Sequence, residues 1–351
     1  MCIRVSELIY ILYRIERGMK NSVNNVSIYL MEILFTEKFQ SLEDDILIRC
    51  LHTYIKSILK EIETLGGNTL DIKLICDSLC DIPEEIQKKE YLEIIPLTLI
   101  MNGKEYKDGV DITKEEFYEE VLKSGEIPKT SQATYMQFKE AFDSAVSEGK
   151  KVLCLTGASS ATGTFQSAML ARGDIENGEI HLFDTENLSL GAGQFVIRAC
   201  DMIEEGLPVE EIMEKLDSLR DSVSILFAPA SFDFLKKSGR VPLTTAIIGN
   251  MLNIKPIFKM ERGKISLVAK VRGIKKLAAK LVEITIENNS DDLSELTVTM
   301  GHGCNLSDYE KLKKEVDAKL KDKVKKVMVT KGGVCICSHT GPDIIALSYS
   351  K

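Results

Sequence analysis

The sequence is poor in several residue types and patterns that mark particular classes of protein. It contains no tryptophan and only 8 prolines and 4 histidines among 351 residues, and it has neither a CxxC motif nor an HExxH spacing. The usual signatures of a zinc site are therefore missing, and we predict no metal and no other cofactor. No run of 18 apolar residues occurs, so no bilayer-spanning helix is predicted. Charged residues interrupt the first 20 positions, which argues against a signal peptide.

The overall composition is that of a folded globular protein. With 44% hydrophobic and 28% charged residues, the chain can bury a sizeable core, which excludes a collagen-like or wholly disordered protein. A length of 351 residues suits two domains of ordinary size with an additional segment. The 9 cysteines are scattered and odd in number, which indicates a reducing compartment and predicts a cytoplasmic location.

Charge is distributed unevenly along the chain. The formal net charge of -8 argues against a nucleic-acid-binding protein, because neutralising phosphates requires a cationic surface. Residues 231–280, however, contain twelve Lys or Arg and only two acidic residues. This segment predicts a local basic face that could steer an acidic partner or permit transient membrane contact. The alternative is that these lysines are simply solvated around the second half of the chain.

The order of apolar patterns predicts an α/β fold. Residues 1–70 show helical spacing with almost no strand signal, so we predict a helical extension there. From Ile72 onward, short β-rich runs alternate with helical patterns, which is typical of α/β architecture. We place a boundary near residue 206, which predicts α/β domains over 71–206 and 207–351.

Individual elements are predicted from periodicity and end signals. Capping boxes at Thr113 with Glu116 and at Thr134 with Gln137 predict two helix starts. Helices are expected to end near 123, 149, 172 and 206, and to span 209–220, 231–237, 272–287 and 307–320. Strands are expected at 72–76, 94–100, 152–155, 180–183, 223–228, 254–260, 265–271, 296–301, 325–330 and 333–337. On the last of these strands, Cys335 and Cys337 would share one face.

Small polar residues cluster at three predicted element ends. The loop 156–163 lies between a strand and a helix, an arrangement that suits an anionic head group. It lacks the lysine of a phosphate-binding P-loop, and Ala161 breaks the G-x-S-x-G esterase pattern. A second cluster contains Thr130 and Ser131, and a third places His339 beside hydroxyls after an apolar run. Helix capping alone remains an alternative explanation for the first two clusters.

Several motifs together resemble a known family. They are Ile72–Ser78, the run IIPLTLIMNGKEYKDGVDITKEEFYE from Ile94, Thr130–Gln132, Ser159–Ala168, Phe234–Arg240, Leu252–Pro256 and His339–Pro342. Their order is similar to that of the DegV family of bacterial fatty-acid-binding proteins, over about residues 71–351. The resemblance implies two α/β domains of DegV (EDD-type) architecture, with a fatty acid buried between them.

The resemblance also implies roles for particular residues. The carboxylate of a long-chain fatty acid would be bound by Thr130, Ser131, Ser159, Ser160 and His339. Arg240, Lys236 and Lys237 would dock an ATP-dependent fatty acid kinase, which would form the acyl phosphate used in phospholipid metabolism.

Two departures from the family pattern affect these assignments. The family loop usually reads Ser-Ser-Gly-Leu-Ser-Gly, whereas here Ala158 replaces the first serine and Ser160 the first glycine, so Ser159 and Ser160 compete for the carboxylate. Asp343 stands where glycine usually follows His-Thr-Gly-Pro, and would add a carboxylate near the ligand head.

The resulting hypothesis is a lipid-binding protein that is not itself an enzyme. Two alternatives remain open at this point. One is a serine-dependent esterase or thioesterase that uses Ser159 with His339. The other is a lipid-responsive regulatory protein in which residues 1–70 contact a partner.

Overall fold

The computed structural model describes residues 71–229, 232–239 and 254–351. Within this set, residues up to Met202 and from Val209 onward form one compact unit. The predicted helical extension over 1–70 lies outside the described residues, as does Arg240. The domain boundary near residue 206 stays a prediction.

The first half of the unit alternates strands and helices, as the sequence predicts. Its elements are β1 (Ile72–Asp77), α1 (Glu84–Gln87), β2 (Leu92–Ile95), β3 (Thr98–Met101), β4 (Lys104–Lys107), α2 (Lys114–Ser124), β5 (Lys129–Ser131), α3 (Tyr135–Ser147), β6 (Lys151–Thr156), α4 (Thr164–Gly173), β7 (Ile180–Asp184) and α5 (Leu190–Glu204). Both predicted capping boxes are present, because the Thr113 and Thr134 hydroxyls each accept the third backbone N–H of the following helix.

The second half continues the alternation with more antiparallel strands. Its elements are α6 (Val209–Ser218), a short 3₁₀ turn (Leu219–Asp221), β8 (Ser224–Ala228), α7 (Phe232–Ser238), β9 (Ile254–Glu261), β10 (Lys264–Arg272), α8 (Ile274–Asn288), β11 (Thr297–His302), α9 (Leu306–Lys319), β12 (Lys326–Lys331), α10 (Val334–Thr340) and β13 (Ile345–Ser350). The predicted α/β fold class is confirmed.

Three sheets organise these strands. A four-stranded parallel sheet has the order β2-β1-β6-β7, and a six-stranded mixed sheet has the order β10-β9-β8-β13-β11-β12. The small antiparallel sheet β4-β3-β5 carries the Thr130 region. Central strands β6 and β13 are almost entirely buried, because helices or other layers cover both of their faces.

A large apolar cluster lies between the helices and the sheets. It includes Phe117, Phe138 and Phe142 from the first half and Phe227 and Phe258 from the second half, all buried. Each buried aromatic side chain contributes about 1.5 to 3 kcal/mol to folding. The rings of Phe227 and Phe258 stack at 5.5 Å between centroids, so the six-stranded sheet contributes directly to this core.

The single strand predicted over residues 94–100 is wrong. The run divides at Pro96 into β2 and β3, and these two strands belong to different sheets. Proline lacks a backbone N–H and is disfavoured inside a strand that pairs on both sides. The break lets Leu97 and the following strand leave the parallel sheet.

The strand predicted over residues 333–337 is also wrong. Residues 334–340 form helix α10, and the final strand of the sheet is Ile345–Ser350 instead. Nearly every residue of both segments is buried, so neither shows the alternation that separates a strand from a helix. As a result, Cys335 and Cys337 do not share a strand face, and His339 lies in the last turn of a helix.

Within the described ranges, no helix is both long enough and apolar enough to cross a membrane.

Candidate functional site

Thr130 and His339 come into direct contact although 209 residues separate them in sequence. Thr130 lies on β5, which pairs with β3, and His339 lies in the last turn of α10. The Thr130 Oγ1 and His339 Nε2 atoms are 2.7 Å apart, which is hydrogen-bond distance. The tertiary fold thus brings together two of the residues that the sequence singled out.

An apolar cavity of about 260 Å³ opens beside this pair. Its apolar lining consists of Leu79, Leu97, Ala161, Leu188, Ile225, Phe227, Leu235, Met260, Ile265, Ile336 and Ile344. Its remaining lining residues are Thr130, Ser131, Gln132, Thr162, Gly163, Ser189, Ser238, His339 and Thr340. Among the described residues that line it, none is Asp, Glu, Lys or Arg. The cavity therefore combines a mainly apolar wall with hydroxyl, amide and imidazole side chains that can form hydrogen bonds.

Helix α10 places apolar and polar groups in the same wall. Ile336 and His339 are three residues apart, so both side chains lie on one face of the helix. Ile336 lines the cavity as an apolar residue, while His339 carries the polar contact to Thr130. This juxtaposition depends on the helical conformation, which the sequence pattern did not predict.

A buried carboxylate at the end of β1 binds the first residue of the loop that follows β6. The two oxygens of Asp77 accept the backbone N–H groups of Leu79 at 2.8 Å and Gly157 at 2.9 Å. Burial raises the pKa of Asp77 from 3.8 to about 7, and these two hydrogen bonds partly oppose the shift. Asp77 and Ser78 form a polar pair at a strand end of the kind that binds ligands in α/β sheets. Neither is among the described residues that line the cavity, and Asp77 instead ties together the ends of β1 and β6.

Ser159 and Ser160 are exposed and make other contacts. The Ser159 amide donates to the Asp184 carboxylate at 3.2 Å and 3.3 Å. The Ser160 hydroxyl donates to the Gly263 carbonyl at 2.9 Å. From this loop, the described cavity lining contains Ala161, Thr162 and Gly163. The carboxylate-binding roles of Ser159 and Ser160 therefore stay predictions, and Thr162 presents a hydroxyl residue directly at the cavity.

Gln132 joins the Thr130 segment to the start of α4. Its side-chain amide donates to the Ser167 hydroxyl at 2.9 Å and to the Gly163 carbonyl at 3.3 Å. A Cβ atom at Gly163 would overlap the Gln132 Oε1 atom, so only glycine permits this approach. The sequence marks Gln132 only as part of a motif, because its partners lie more than 30 residues away.

Asp343 is not among the described residues that line the cavity, and its predicted place near the ligand head stays a prediction. Its Oδ1 atom accepts a hydrogen bond from the Cys304 thiol at 2.9 Å, and its neighbour Ile344 lines the cavity instead. Burial and the nearby Asp343 raise the pKa of Cys304 to about 12. The added carboxylate is therefore directed toward a different loop.

The lysines proposed for partner docking lie on α7. Lys236 and Lys237 are both exposed, and the Lys237 Nζ atom donates to the Ile127 carbonyl at 3.0 Å. Arg240, which belongs to the same motif, lies outside the described residues.

One surface cluster combines groups of the kind that bind metal ions. Single ligand atoms of Glu179, His181 and Glu210 lie within 4.8 Å of one another. The Lys151 Nζ atom lies 2.8 Å from Glu179 Oε1 and 3.7 Å from Glu210 Oε1. The single lysine already pairs with both carboxylates, so the arrangement is explained as a surface ion-pair network.

Comparison with known proteins identifies relatives over the whole α/β part. The family model described as an uncharacterised protein of the DegV family matches residues 71–351. A DegV domain-containing protein of Caldanaerobacter subterraneus is 34% identical over 282 residues, which cover 80% of this chain and 99% of the relative.

Solved structures show the same fold. A fatty-acid-binding DegV family protein from Thermus thermophilus matches with a TM-score of 0.73 and 28% identity, covering 80% of this chain and 99% of the other. A stearic-acid-binding protein from Eubacterium ventriosum matches with a TM-score of 0.73 and 30% identity, covering 80% and 98%. DegV of Bacillus subtilis, a fatty-acid-binding protein, matches with a TM-score of 0.71 and 25% identity, covering 80% and 99%.

Proposed function

This chain belongs to the DegV family, and from that premise we propose that it binds a long-chain fatty acid. The tail occupies the apolar cavity, and the carboxylate lies at the Thr130–His339 pair. Related structures from Thermus thermophilus and Eubacterium ventriosum are those of fatty-acid-binding proteins, which supports the same ligand class here.

The observation that carries the proposal is the composition of the cavity wall. An alkyl chain placed against Leu, Ile, Phe and Met side chains gains about 0.8 kcal/mol for each CH₂ removed from water. A carboxylate taken from water needs several donors in exchange, and the hydroxyl groups and the imidazole of the wall can provide them, with Thr130 and His339 in direct contact. The tail would thus supply most of the affinity, while the head-group contacts set the orientation.

We assign the head-group contacts to Thr130, Ser131 and His339, with Thr162 as a further hydroxyl of the described cavity wall. Ser159 and Ser160 remain candidates from the family motif, and their present contacts are with Asp184 and Gly263. A ligand that drew the backbone of Ser159 toward the cavity would have to compete with the hydrogen bond from its amide to Asp184.

The proposed role extends to an ATP-dependent fatty acid kinase in the cytoplasm. In this role the chain shelters the tail and presents the carboxylate, and the kinase carries out the phosphoryl transfer. The exposed Lys236 and Lys237 on α7 support a docking surface for an acidic partner, with Arg240 completing the motif. Leu235 and Ser238 of the same helix line the cavity, so the proposed docking residues are adjacent in sequence to residues of the proposed ligand site.

No specific observation favours the esterase alternative. That reaction requires the Ser159 hydroxyl next to the His339 imidazole, whereas the contact of His339 Nε2 is with Thr130.

Extraction of bound lipid tests the proposal directly. Protein purified without added lipid is expected to release a fatty acid detectable by mass spectrometry, and to bind stearic acid when stripped. Ile265→Glu places a carboxylate in the cavity wall and should lower stearic acid affinity at least tenfold, because the tail would meet a polar group.

A matched control lies on the same strand. Val268→Glu adds the same group at an exposed position of β10 and should leave the affinity unchanged. The absence of any extracted fatty acid, together with no binding of stearic acid by the stripped wild type, would reject the proposed function.

A further inference from the structure

Asp81 is a buried carboxylate that joins two separate segments of the cavity wall. Its Oδ2 atom accepts a hydrogen bond from the Ser189 hydroxyl at 2.6 Å. The Gly333 backbone N–H donates to the same carboxylate, and an added Cβ atom at Gly333 would overlap Asp81 Oδ1. Ser189 lines the cavity itself, and Gly333 directly precedes α10, which supplies Ile336 and His339 to the wall.

The backbone of Ser189 depends on these contacts. Its φ of +53° lies in the left-handed region, which residues other than glycine rarely adopt. The Ser189 amide donates to the Leu79 carbonyl at 2.8 Å, and the Ser189 carbonyl accepts the Asp81 amide at 3.2 Å. The backbone of the segment 79–81 thus holds Ser189 in place, and the Asp81 side chain extends this connection to α10.

The charge of Asp81 has one cation and one carboxylate facing it. Lys114 of α2 favours the charged form, whereas Asp108 of the loop before α2 opposes it. Three titratable side chains that are neutral at neutral pH also lie beside it: Cys80, Tyr118 and Cys337. Burial is the largest influence and raises the pKa of Asp81 to about 6, so this carboxylate changes charge close to neutral pH.

The head of a bound fatty acid would lie within electrostatic reach of Asp81. The proposed head-group residue His339 follows Gly333 by six residues, a rise of about 9 Å along a helix. Two unit charges at that separation inside a protein interact strongly enough to change an affinity on the order of tenfold. The charged form of Asp81 therefore opposes a bound carboxylate, and its protonated form does not.

We propose that Asp81 is a positioning residue of the lipid site, and that binding of a fatty acid carboxylate transfers a proton from solvent to Asp81. This inference rests on the proposed function. The charge of the ligand favours protonated Asp81, so the bound protein holds more protons than the free protein above about pH 6. Affinity for a carboxylate should therefore fall as the pH rises from about 6 to 7, and then level off.

Palmitate and hexadecanol separate the two roles, because their tails have the same length and only palmitate carries a charge. Partition of radiolabelled ligand between protein and cyclodextrin at pH 5.5, 6.5, 7.5 and 8.5 measures the affinities of wild type, Asp81→Asn and Asp81→Ala. The asparagine amide can still accept from Gly333 and donate to the Ser189 oxygen, but it cannot ionise. Alanine keeps neither contact. Asp322→Asn removes an exposed carboxylate outside the cavity lining and is the control.

The expected results differ between the two ligands. The palmitate affinity of the wild type relative to Asp81→Asn should fall on the order of tenfold from pH 5.5 to 8.5, because the titration of palmitate and of His339 is common to both proteins. The same ratio for hexadecanol should stay constant, and Asp322→Asn should follow the wild type. Asp81→Ala should weaken hexadecanol binding about fivefold, and Asp81→Asn should retain it.

Each role has a result that overturns it. A palmitate ratio that does not change with pH overturns the proton transfer, and unchanged hexadecanol affinity in Asp81→Ala overturns the positioning role. Either failure leaves the proposed function standing as long as the wild type binds palmitate. A wild type that binds neither ligand rejects the proposed function, and the role of Asp81 with it.

Ser189→Ala decides both roles if the Asp81 variants do not fold. It removes a hydrogen bond that stabilises the charged form of Asp81, so palmitate affinity should fall at a higher pH than in the wild type, and hexadecanol binding should weaken. Ser348→Ala is the matched control, because this buried hydroxyl donates to the Ser224 carbonyl outside the cavity lining. If Ser189→Ala and Ser348→Ala behave alike with both ligands, the proposal is overturned.

Discussion

The Ser160 hydroxyl donates a hydrogen bond to the Gly263 carbonyl at 2.9 Å, joining two loops that are 103 residues apart in sequence. The Gly263 amide donates to the Glu186 carbonyl at 2.7 Å, and the Arg262 guanidinium lies 2.8 Å from the Asp221 carboxylate. The turn between β9 and β10 is therefore held against the loops that follow β6 and β7. Because Met260 and Ile265 flank this turn and line the apolar cavity, its attachment determines one wall of the proposed lipid site.

Replacing Gly263 should loosen this attachment. Gly263 has a φ of +72°, and a Cβ atom there would lie 3.0 Å from the Ser160 Oγ atom. Gly263→Ala should therefore lower the free energy of unfolding by about 1 to 3 kcal/mol, through backbone strain and displacement of Ser160. Chemical denaturation measures the change.

Gly103→Ala provides the matched control for backbone strain. Gly103 has a φ of +71°, in another hairpin, and an added methyl group there would have nothing within 4 Å. Gly263→Ala should lower the free energy of unfolding by more than Gly103→Ala, and the difference reports the contact with Ser160. In a Ser160→Ala background, this difference should disappear. Equal losses at both glycines would show that the Ser160 contact contributes nothing.

The Thr130–His339 pair should act as a unit in ligand binding. Thr130→Val removes the hydroxyl at nearly constant volume and should weaken fatty acid binding roughly 10- to 150-fold, because a hydrogen bond to a charged group contributes about 1.5 to 3 kcal/mol. His339→Leu should have a similar effect. The double variant should lose less than the product of the two single losses, because each substitution already breaks the shared contact.

Displacement of a fluorescent fatty acid measures all four affinities of this cycle. Thr297→Val makes the same side-chain change at a buried position of β11 outside the cavity lining and should not alter affinity. If the loss of affinity in the double variant equals the product of the two single losses, Thr130 and His339 act independently on the ligand.

A methyl group at Gly163 should force the end of the Gln132 side chain to move. Its Cβ would overlap the Gln132 Oε1 atom, so Gly163→Ala must displace Gln132 from the Ser167 hydroxyl. The expected cost is about 1 to 2 kcal/mol of unfolding free energy, with weaker fatty acid binding because both residues line the cavity.

Gly173→Ala, near the other end of the same helix, serves as the comparison. Nothing lies within 4 Å of its added methyl group, so stability and affinity should both be retained. Thermal unfolding of the two variants is the measurement, and equal stability would contradict the close approach of Gln132.

Buried Asp77 should make the protein less stable as pH rises. Its folded-state pKa of about 7 lies above its ordinary value of 3.8, so between these values the folded state binds more protons than the unfolded state. The unfolding free energy from this group then falls by up to about 1.4 kcal/mol per pH unit from about pH 4 to 7. Asp81, whose pKa burial raises to about 6, contributes in the same direction over a narrower range.

Asp77→Asn should flatten this pH dependence, because the amide cannot ionise and its oxygen still accepts one of the two backbone N–H groups. Denaturation at pH 4.5, 5.5, 6.5 and 7.5 measures the slope. Asp322→Asn changes an exposed carboxylate and should leave the slope as in the wild type. A slope that is the same in all three proteins would exclude Asp77 as its source.

Local signals were reliable where neighbours in sequence decide the structure. The capping boxes at Thr113 and Thr134 use residues three positions apart, and both helices begin where these patterns predict. The strands predicted over 254–260 and 265–271, on either side of Gly263, are present as β9 and β10. In each case, the interacting groups are close along the chain.

The loop 156–163 contains hydroxyl residues that local sequence signals cannot distinguish. Ser159, Ser160 and Thr162 are nearly equivalent in sequence, and the family motif cannot rank them. Backbone geometry directs Ser160 toward Gly263, while Thr162 joins the cavity lining. Choosing among adjacent hydroxyls therefore requires the positions of elements that lie about 100 residues away.

The α/β alternation, the helix starts and the polar motifs could all be read from the sequence, because periodicity and capping act over a few residues. Tertiary structure alone decided that the apolar run after Gly333 is a helix, since burial on all sides removes the alternation that would mark its conformation. That helix places His339 against Thr130 and Ile336 in the same wall. The Thr130–His339 contact in the cavity wall thus joins segments that only the folded chain brings together.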